Sequence, residues 1–412
     1  MTKILLINTN CSWNKGSAAQ VISTVNILKK IIPETTFTLI SYLPELDSKQ
    51  CVKYNVNTVG YFSKSSHKAL LYYYHISVSL IFCFFWKILC KLHLNANMLL
   101  KEKYLNEYIK TDIIIDLSGD TLADSLCSVS IVSIMGILIG ILLNKPIVVF
   151  SQSIGPFKKW SLTLARFSLN KVDLIIVREE ITKKYLEKLK IDSPIFLTAD
   201  CAFILETASS EIIEEILSRE GINIENNVFI GISPNVRQDS ENYVSIMAQM
   251  IDYIIENLKS KVIIIPHVVN DLVVSQKIYK KIINKNKVKL IKNNYSPEEL
   301  KGIICLCEIF IGARMHSNIA ALSTYVPTMA IAWSHKYYGI MRKLGQEKYV
   351  FDFRTMNFSS VVSKIDELWC NRNKIRKELK YKIKIEKELA LISGKLVKCL
   401  LYSLDILSSE SK

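Results

Sequence analysis

The sequence predicts two doubly wound α/β domains followed by a helical tail. Short β-branched runs alternate with helical patterns, and these runs fall into two series separated near residues 207–226. Past about Ser359 strand-like runs stop and the pattern is helical. A length of 412 residues suits two domains at about 150 residues each. Half of the residues are hydrophobic, which excludes global disorder, and 13 Gly with 9 Pro exclude collagen-like or linker-dominated chains.

In the first series, strands are expected at Lys3–Asn8, Thr36–Ser41, Asp112–Leu117, Pro146–Ser151 and Asp173–Arg178. Helices such as Ser17–Ile32 and Glu179–Leu189 lie between them. The second series opens with a helix at Glu211–Glu220 and a polar turn at Gly221–Asn227. Its strands are expected at Val228–Ser233, Val262–Pro266, Val288–Ile291, Glu308–Gly312 and Thr328–Ala332, with helices including Glu241–Leu258 and Pro297–Cys305. The expected domains are therefore 1–215 and 226–355, with a basic helical tail at 356–412. Within the tail, Asn371–Lys387 carries eight Lys/Arg and two Glu, which reads as a solvated face or a docking face for an anionic surface.

Several chemistries are disfavoured. The ten Cys are scattered with no CxxC pair, and the six His show no metal-ligand spacing, so reduced thiols and no metal site are expected. The apolar start Ile4–Ile7 is too short for a signal-peptide core, which predicts a cytoplasmic protein. Two uncharged stretches raise the membrane question, Ala69–Trp86 and Ser125–Asn144. The second reads as a buried helix, because a strand-like run follows it at once. The first reads as buried or in peripheral contact with a membrane, with a true span as the alternative, and the net charge of +15 suits anionic lipid or acidic substrates. Nucleic acid is not an expected partner, since RNP-like aromatic motifs and zinc fingers are absent.

Open α/β sheets bind ligands at the carboxyl ends of their strands, and two such domains facing each other place the site in a central cleft. Candidates are therefore residues just past a strand. After the first strand, Asn8–Ser17 is a polar loop entering a helix, a natural anion or sugar site involving Asn10, Gly16 and Ser17. It lacks the glycines of nucleotide-binding loops. Asp120, in Leu117-Ser118-Gly119-Asp120, is placed to serve as a base or to cap a helix. In the second series, Arg237, His267, Asp271, Arg314, His316 and Lys336 all follow strands of one sheet. Arg314 and His316 combine guanidinium, imidazole and a helix entrance, which suits phosphate or carboxylate.

The ordered set Asn8–Ser17, Ser118-Gly119-Asp120, Gln152-Ser153-Ile154-Gly155-Pro156, Arg178-Glu179, Asp200-Cys201-Ala202-Phe203 and Gly312-Ala313-Arg314-Met315-His316-Ser317, with Pro327 before Lys336, resembles the polysaccharide pyruvyl transferase family over about residues 1–350. The family's third-strand loop is often richer in Gly than Leu117–Asp120 here. The resemblance implies a glycosyltransferase-B-like pair of Rossmann-like domains, the first on the acceptor side and the second on the donor side. It implies transfer of pyruvate from phosphoenolpyruvate to a sugar of a cell-surface polysaccharide or its precursor, forming a ketal and releasing phosphate. Phosphoenolpyruvate is then the co-substrate, with no cofactor, and the acceptor is a sugar, plausibly carried on lipid. By similarity, Arg237, Arg314 and His316 match donor-binding positions. His316 would protonate the methylene or stabilise departing phosphate, with Asp120, His267 or Asp271 as base. The rival readings are a nucleotide-sugar glycosyltransferase on the same architecture and a non-enzymatic basic surface-binding protein.

Overall fold

The computed structural model describes residues 1–61, 69–94, 96–124, 127–225 and 227–407. Ser125 and Leu126 of the second apolar stretch, and Asn226 of the expected polar turn, lie outside the described residues. Among the described residues two wholly parallel sheets form. The first holds β1 (Thr2–Ile7), β2 (Thr35–Ser41), β3 (Val56–Gly60), β4 (Ile113–Asp116), β5 (Ile147–Gln152), β6 (Leu174–Val177) and β7 (Ile195–Leu197), in the order β3-β2-β1-β4-β5-β6-β7. The second holds β8 (Phe229–Ser233), β9 (Lys261–Ile264), β10 (Val288–Leu290), β11 (Ile309–Gly312), β12 (Thr328–Ala332) and β13 (Val350–Asp352), in the order β10-β9-β8-β11-β12-β13. Each sheet starts at an inner strand and grows outward both ways, so the order reverses between β1 and β4 and between β8 and β11. Loops at those reversals are where such folds bind ligands.

Central strands such as β4, β5, β8 and β11 are buried along their whole length, as apolar runs covered by helices on both faces must be. Three strands were not expected from sequence: β3, β7 and β13. All three are sheet edges, short and only partly buried.

By compactness the chain divides into two units. The first comprises Met1–Ser12, Gln20–Cys201 and Glu388–Lys412, and the second Trp13–Ala19 and Ala202–Lys387. This differs from the expected bounds at 215, 226 and 356 in three respects. The helix Ser210–Arg219 belongs to the second unit, because Ile213, Ile216 and Leu217 share an apolar cluster with Phe229 and Ile263. The loop Trp13–Ala19 leaves the sheet it follows and also counts with the second unit. The tail is one helix, Phe358–Ser403, contributing to both units. In the second unit it buries Ile375, Leu379 and Ile383 and turns Lys377, Lys380 and Lys384 outward, while Arg376 bonds Glu308. In the first, Ser393 bonds Thr198.

In the first unit the helix Cys127–Leu142 is a core helix, with Val132, Ile134, Ile137 and Ile139 buried. Gly140 lets it sit close to the sheet: a Cβ there would lie 2.7 Å from Ile114 Cδ1 and 2.9 Å from Ile147 Cδ1. The helix Ala69–Lys91 packs against it by one face. Among the described residues, its Tyr73–Lys91 stretch is the one long and apolar enough to cross a membrane.

Arg178, at the end of β6, is 1% exposed and pairs with Asp200 at 2.7 Å, also donating to Ser153 Oγ. Removing the guanidinium strands a buried carboxylate. Arg178→Met is expected to cost about 3–5 kcal/mol in urea unfolding, with part of the loss recovered when Asp200→Leu is added. A single variant as stable as the parent would refute this.

Candidate active site

The predicted residues of the second unit lie on loops after β8, β9, β11 and β12, at one edge of the sheet. What joins these loops is the side chain of Asp271, fully buried at the start of helix Asp271–Lys281. It accepts from Val236 N–H at 3.0 Å and Val268 N–H at 2.9 Å. It also takes the fork of Arg314, Nε at 2.9 Å and Nη2 at 2.5 Å. Asp271 was an expected candidate for the base. Its carboxylate is occupied by these donors in the structure, an arrangement that fixes the orientation of Arg314 and of the loops around it. Asn235, buried after β8, donates to Ala313 O at 3.0 Å, and Tyr337 donates to the same carbonyl at 2.9 Å.

The loop Trp13–Ala19 completes this arrangement. Asn14 and Val268 form an antiparallel bridge, and Lys15 N–H approaches His267 O at 3.4 Å. Asn14 Oδ1 accepts from Gly16 N–H at 2.9 Å, capping the helix Lys15–Ile31, which starts two residues earlier than expected. Gly16 is required by proximity: a Cβ there would lie 2.6 Å from Cγ and 2.9 Å from Cβ of His316. Ser17 is half-buried in the first helical turn.

Charge at this edge is dominated by cations. His316 lies in the first turn of helix Met315–Ser323, with Arg314 as its N-cap. Arg237 is exposed, its guanidinium 5.0 Å from the ring of Trp333, and Lys336 Nζ stands 4.6 Å from the same ring. Lys15 is 5% exposed; burial pulls its pKa down to about 8, opposed by Glu299 and Glu298. His267 is buried, and burial together with the charges of His316, Arg314 and Lys15 lowers its pKa to about 3. Its Nδ1 has no hydrogen-bond partner among the described residues.

Asn10 and Asp120 belong to the first unit. They follow the adjacent strands β1 and β4 at that sheet's own reversal; Asn10 donates to Tyr42 at 2.9 Å and Asp120 is half-buried. Lys15 and Trp333 were not singled out in the sequence. Lys15 sat within the recognised loop, where lysine looks like ordinary surface charge, and nothing in the sequence pairs Trp333 with Arg237. Among the described residues no group of three or more His, Cys, Asp or Glu is arranged to hold a metal ion.

Comparison with known proteins gives a family and a fold. The family model for polysaccharide pyruvyl transferase matches residues 14–335. The amylovoran biosynthesis protein AmsJ of Erwinia amylovora is 22% identical over 268 residues, covering 61% of this chain and 65% of AmsJ. The match thus spans slightly under two thirds of that relative's length. Among solved structures, the UDP-GlcNAc 2-epimerase of Neisseria meningitidis bound to UDP-GlcNAc is similar at a TM-score of 0.65, with 10% identity and coverage of 98% and 100% of the two chains. The UDP-GlcNAc 2-epimerase of Methanocaldococcus jannaschii has a TM-score of 0.63, 13% identity and coverage of 98% and 100%. A glycosyltransferase from Rickettsia africae has a TM-score of 0.61, 14% identity and coverage of 98% of each chain. At such identities the likeness concerns architecture: two Rossmann-like units of the glycosyltransferase-B-like class with a helical C-terminal segment.

Two outcomes test the geometry. Gly16→Ala should displace the His316 imidazole, seen as a moved His316 resonance, while the cooperative melt is retained; an unmoved resonance would refute the contact. His267 binds a proton in the unfolded chain below about pH 6.5 but in the folded chain only near pH 3. Between those values the unfolded state holds more protons, so stability falls as pH drops, by about 1.4 kcal/mol per pH unit from this group. His267→Gln should flatten the pH dependence of the urea midpoint in that window, and an identical slope would argue against a buried neutral imidazole.

Proposed function

The chain belongs to the polysaccharide pyruvyl transferase family, and from that premise we propose that it transfers the pyruvyl group of phosphoenolpyruvate to a sugar of a polysaccharide or its precursor, forming a cyclic ketal and releasing phosphate. The observation that carries this reading is the gathering of Lys15, Arg237, Arg314, His316 and Lys336 around loops that share Asp271 and Trp333. A small ligand with both phosphate and carboxylate satisfies such a cluster. Asp271 offsets Arg314 and the Glu298–Glu299 pair partly offsets Lys15, and an arriving anion would relieve the repulsion that remains.

In this reading Arg314, oriented by Asp271, and Arg237, backed by Trp333, hold the two anionic ends of the donor, with Lys15 and Lys336 adding charge. The double bond of phosphoenolpyruvate is attacked at carbon by a proton, and His316 as imidazolium supplies it to the methylene. The electron pair of the C=C bond becomes the new C–H bond of the methyl group, leaving positive character on the central carbon. A sugar hydroxyl adds there and gives up its proton. A second hydroxyl of the same sugar then attacks the central carbon. The C–O bond to phosphate breaks with its electron pair on phosphate, which takes up the second proton. No oxidant or reductant enters. With Asp271 committed to Arg314, His267 is the remaining candidate base within this unit. Burial is the larger cause of its low basicity, and an arriving polyanion would offset the part due to the neighbouring cations.

The test is thermal unfolding with and without phosphoenolpyruvate, in the parent and in Arg237→Ala. Arg237 is exposed, so its truncation leaves the fold intact, whereas truncating Arg314 would strand Asp271. At about 100 times its dissociation constant the donor should add about 2.7 kcal/mol to the parent and clearly less to the variant. His316→Ala should lower phosphate release by about 100-fold or more. Stabilisation by a nucleotide sugar, with none by phosphoenolpyruvate, would overturn the reading in favour of a nucleotide-sugar glycosyltransferase.

A further inference from the structure

The helix Ala69–Lys91 is apolar on two faces that meet different surroundings. On one, Ile76, Ser79 and Cys83 are buried, with Tyr73, Leu80 and Trp86 packed against the core of the first unit. On the other, Tyr74, Ile81, Phe84, Phe85 and Ile88 are exposed, Phe84 and Phe85 by more than half. The exposed apolar surface continues through Leu92 and Leu94 just past the helix end. Monomeric proteins seldom leave a contiguous apolar face of this kind uncovered.

Beside this face lies a groove of about 900 Å³, with Leu80, Phe84, Leu138, Ile141, Phe167 and Leu404 among its walls. Its charged lining is three lysines, Lys87, Lys145 and Lys171, and one acid, Asp173. Two of these lysines are held by hydrogen bonds: Lys87 Nζ donates to Asn144 Oδ1 at 2.9 Å, and Lys145 Nζ to Thr111 O at 2.9 Å. Asp173 accepts from Ile147 N–H at 2.8 Å.

We infer that this face of the first unit docks onto the surface of an anionic phospholipid bilayer, with Phe84 and Phe85 entering the boundary between headgroups and acyl chains and Lys87, Lys145 and Lys171 meeting the lipid phosphates. Aromatic side chains flanked by lysines are the composition that an interfacial site requires. The helix does not cross the bilayer, because its Ile76–Cys83 face belongs to the core and a span would have to abandon it. Nor does a second copy of the chain suit this face, since two such rims would set lysines against lysines. The inference is independent of which donor the second unit takes.

The experiment is co-sedimentation of the full chain with vesicles of phosphatidylcholine alone or mixed with phosphatidylglycerol, in the parent, in F84S/F85S and in Lys171→Glu. The parent should bind only the anionic vesicles and release at high salt. F84S/F85S should bind at least about tenfold more weakly, and Lys171→Glu measurably so. Retention of the cooperative melt in F84S/F85S separates a lost docking face from a lost fold. Equal binding by F84S/F85S and the parent would overturn the inference. So would binding indifferent to lipid charge, resistance of cell-membrane-bound protein to alkaline carbonate, or a dimer abolished by F84S/F85S without lipid binding.

Discussion

The carboxylate of Asp271 accepts from the backbone after β8, from the backbone after β9, and from the Arg314 fork after β11. A buried anion this well supplied with donors ties together the loops that follow three neighbouring strands, and it sets the guanidinium of Arg314 in one orientation. Because Asn235 and Tyr337 both donate to Ala313 O, the loops after β8 and β12 are bound to the same point. The second unit thereby offers a rigid edge on which cations of four loops can be held close. Rigidity matters because charges that repel one another would otherwise swing out into solvent.

A related device appears in the first unit. Asp116, fully buried at the end of β4, accepts from Asn8 at 2.6 Å, Gln152 at 2.6 Å and Ser118 at 2.7 Å, joining the segments after β1 and β4 to the last residue of β5. Burial raises its pKa to about 6 even though these hydrogen bonds favour the charged form. Asp271 differs in accepting from a guanidinium, whereas Asp116 accepts from amide and hydroxyl donors. In each unit a carboxylate near the reversal of strand order organises the loops where a ligand would bind.

The second unit accommodates its positive charge in two ways. Burial, reinforced by the neighbouring cations, keeps His267 neutral, and burial also lowers the proton affinity of Lys15, against the partial support of Glu299 and Glu298. Both are groups whose charge state an incoming anion would shift toward protonation.

The sequence by itself determined the alternation of strands and helices, the two series, and the placement of Arg237, His267, Arg314 and His316 just past strands. Parallel strands buried on both faces need continuous apolar runs, and those are visible locally. Edge strands β3, β7 and β13 escaped because a half-exposed strand needs no such run. Only the tertiary structure decided that the Trp13–Ala19 loop joins the second unit, that Lys15 reaches the His267 cluster, that Arg237 and Lys336 both approach the Trp333 ring, and that the Asp271 carboxylate accepts the fork of Arg314. These relations join residues far apart along the chain. They follow from the order in which the strands pair and from which helix face finds a neighbour, neither of which a local pattern encodes.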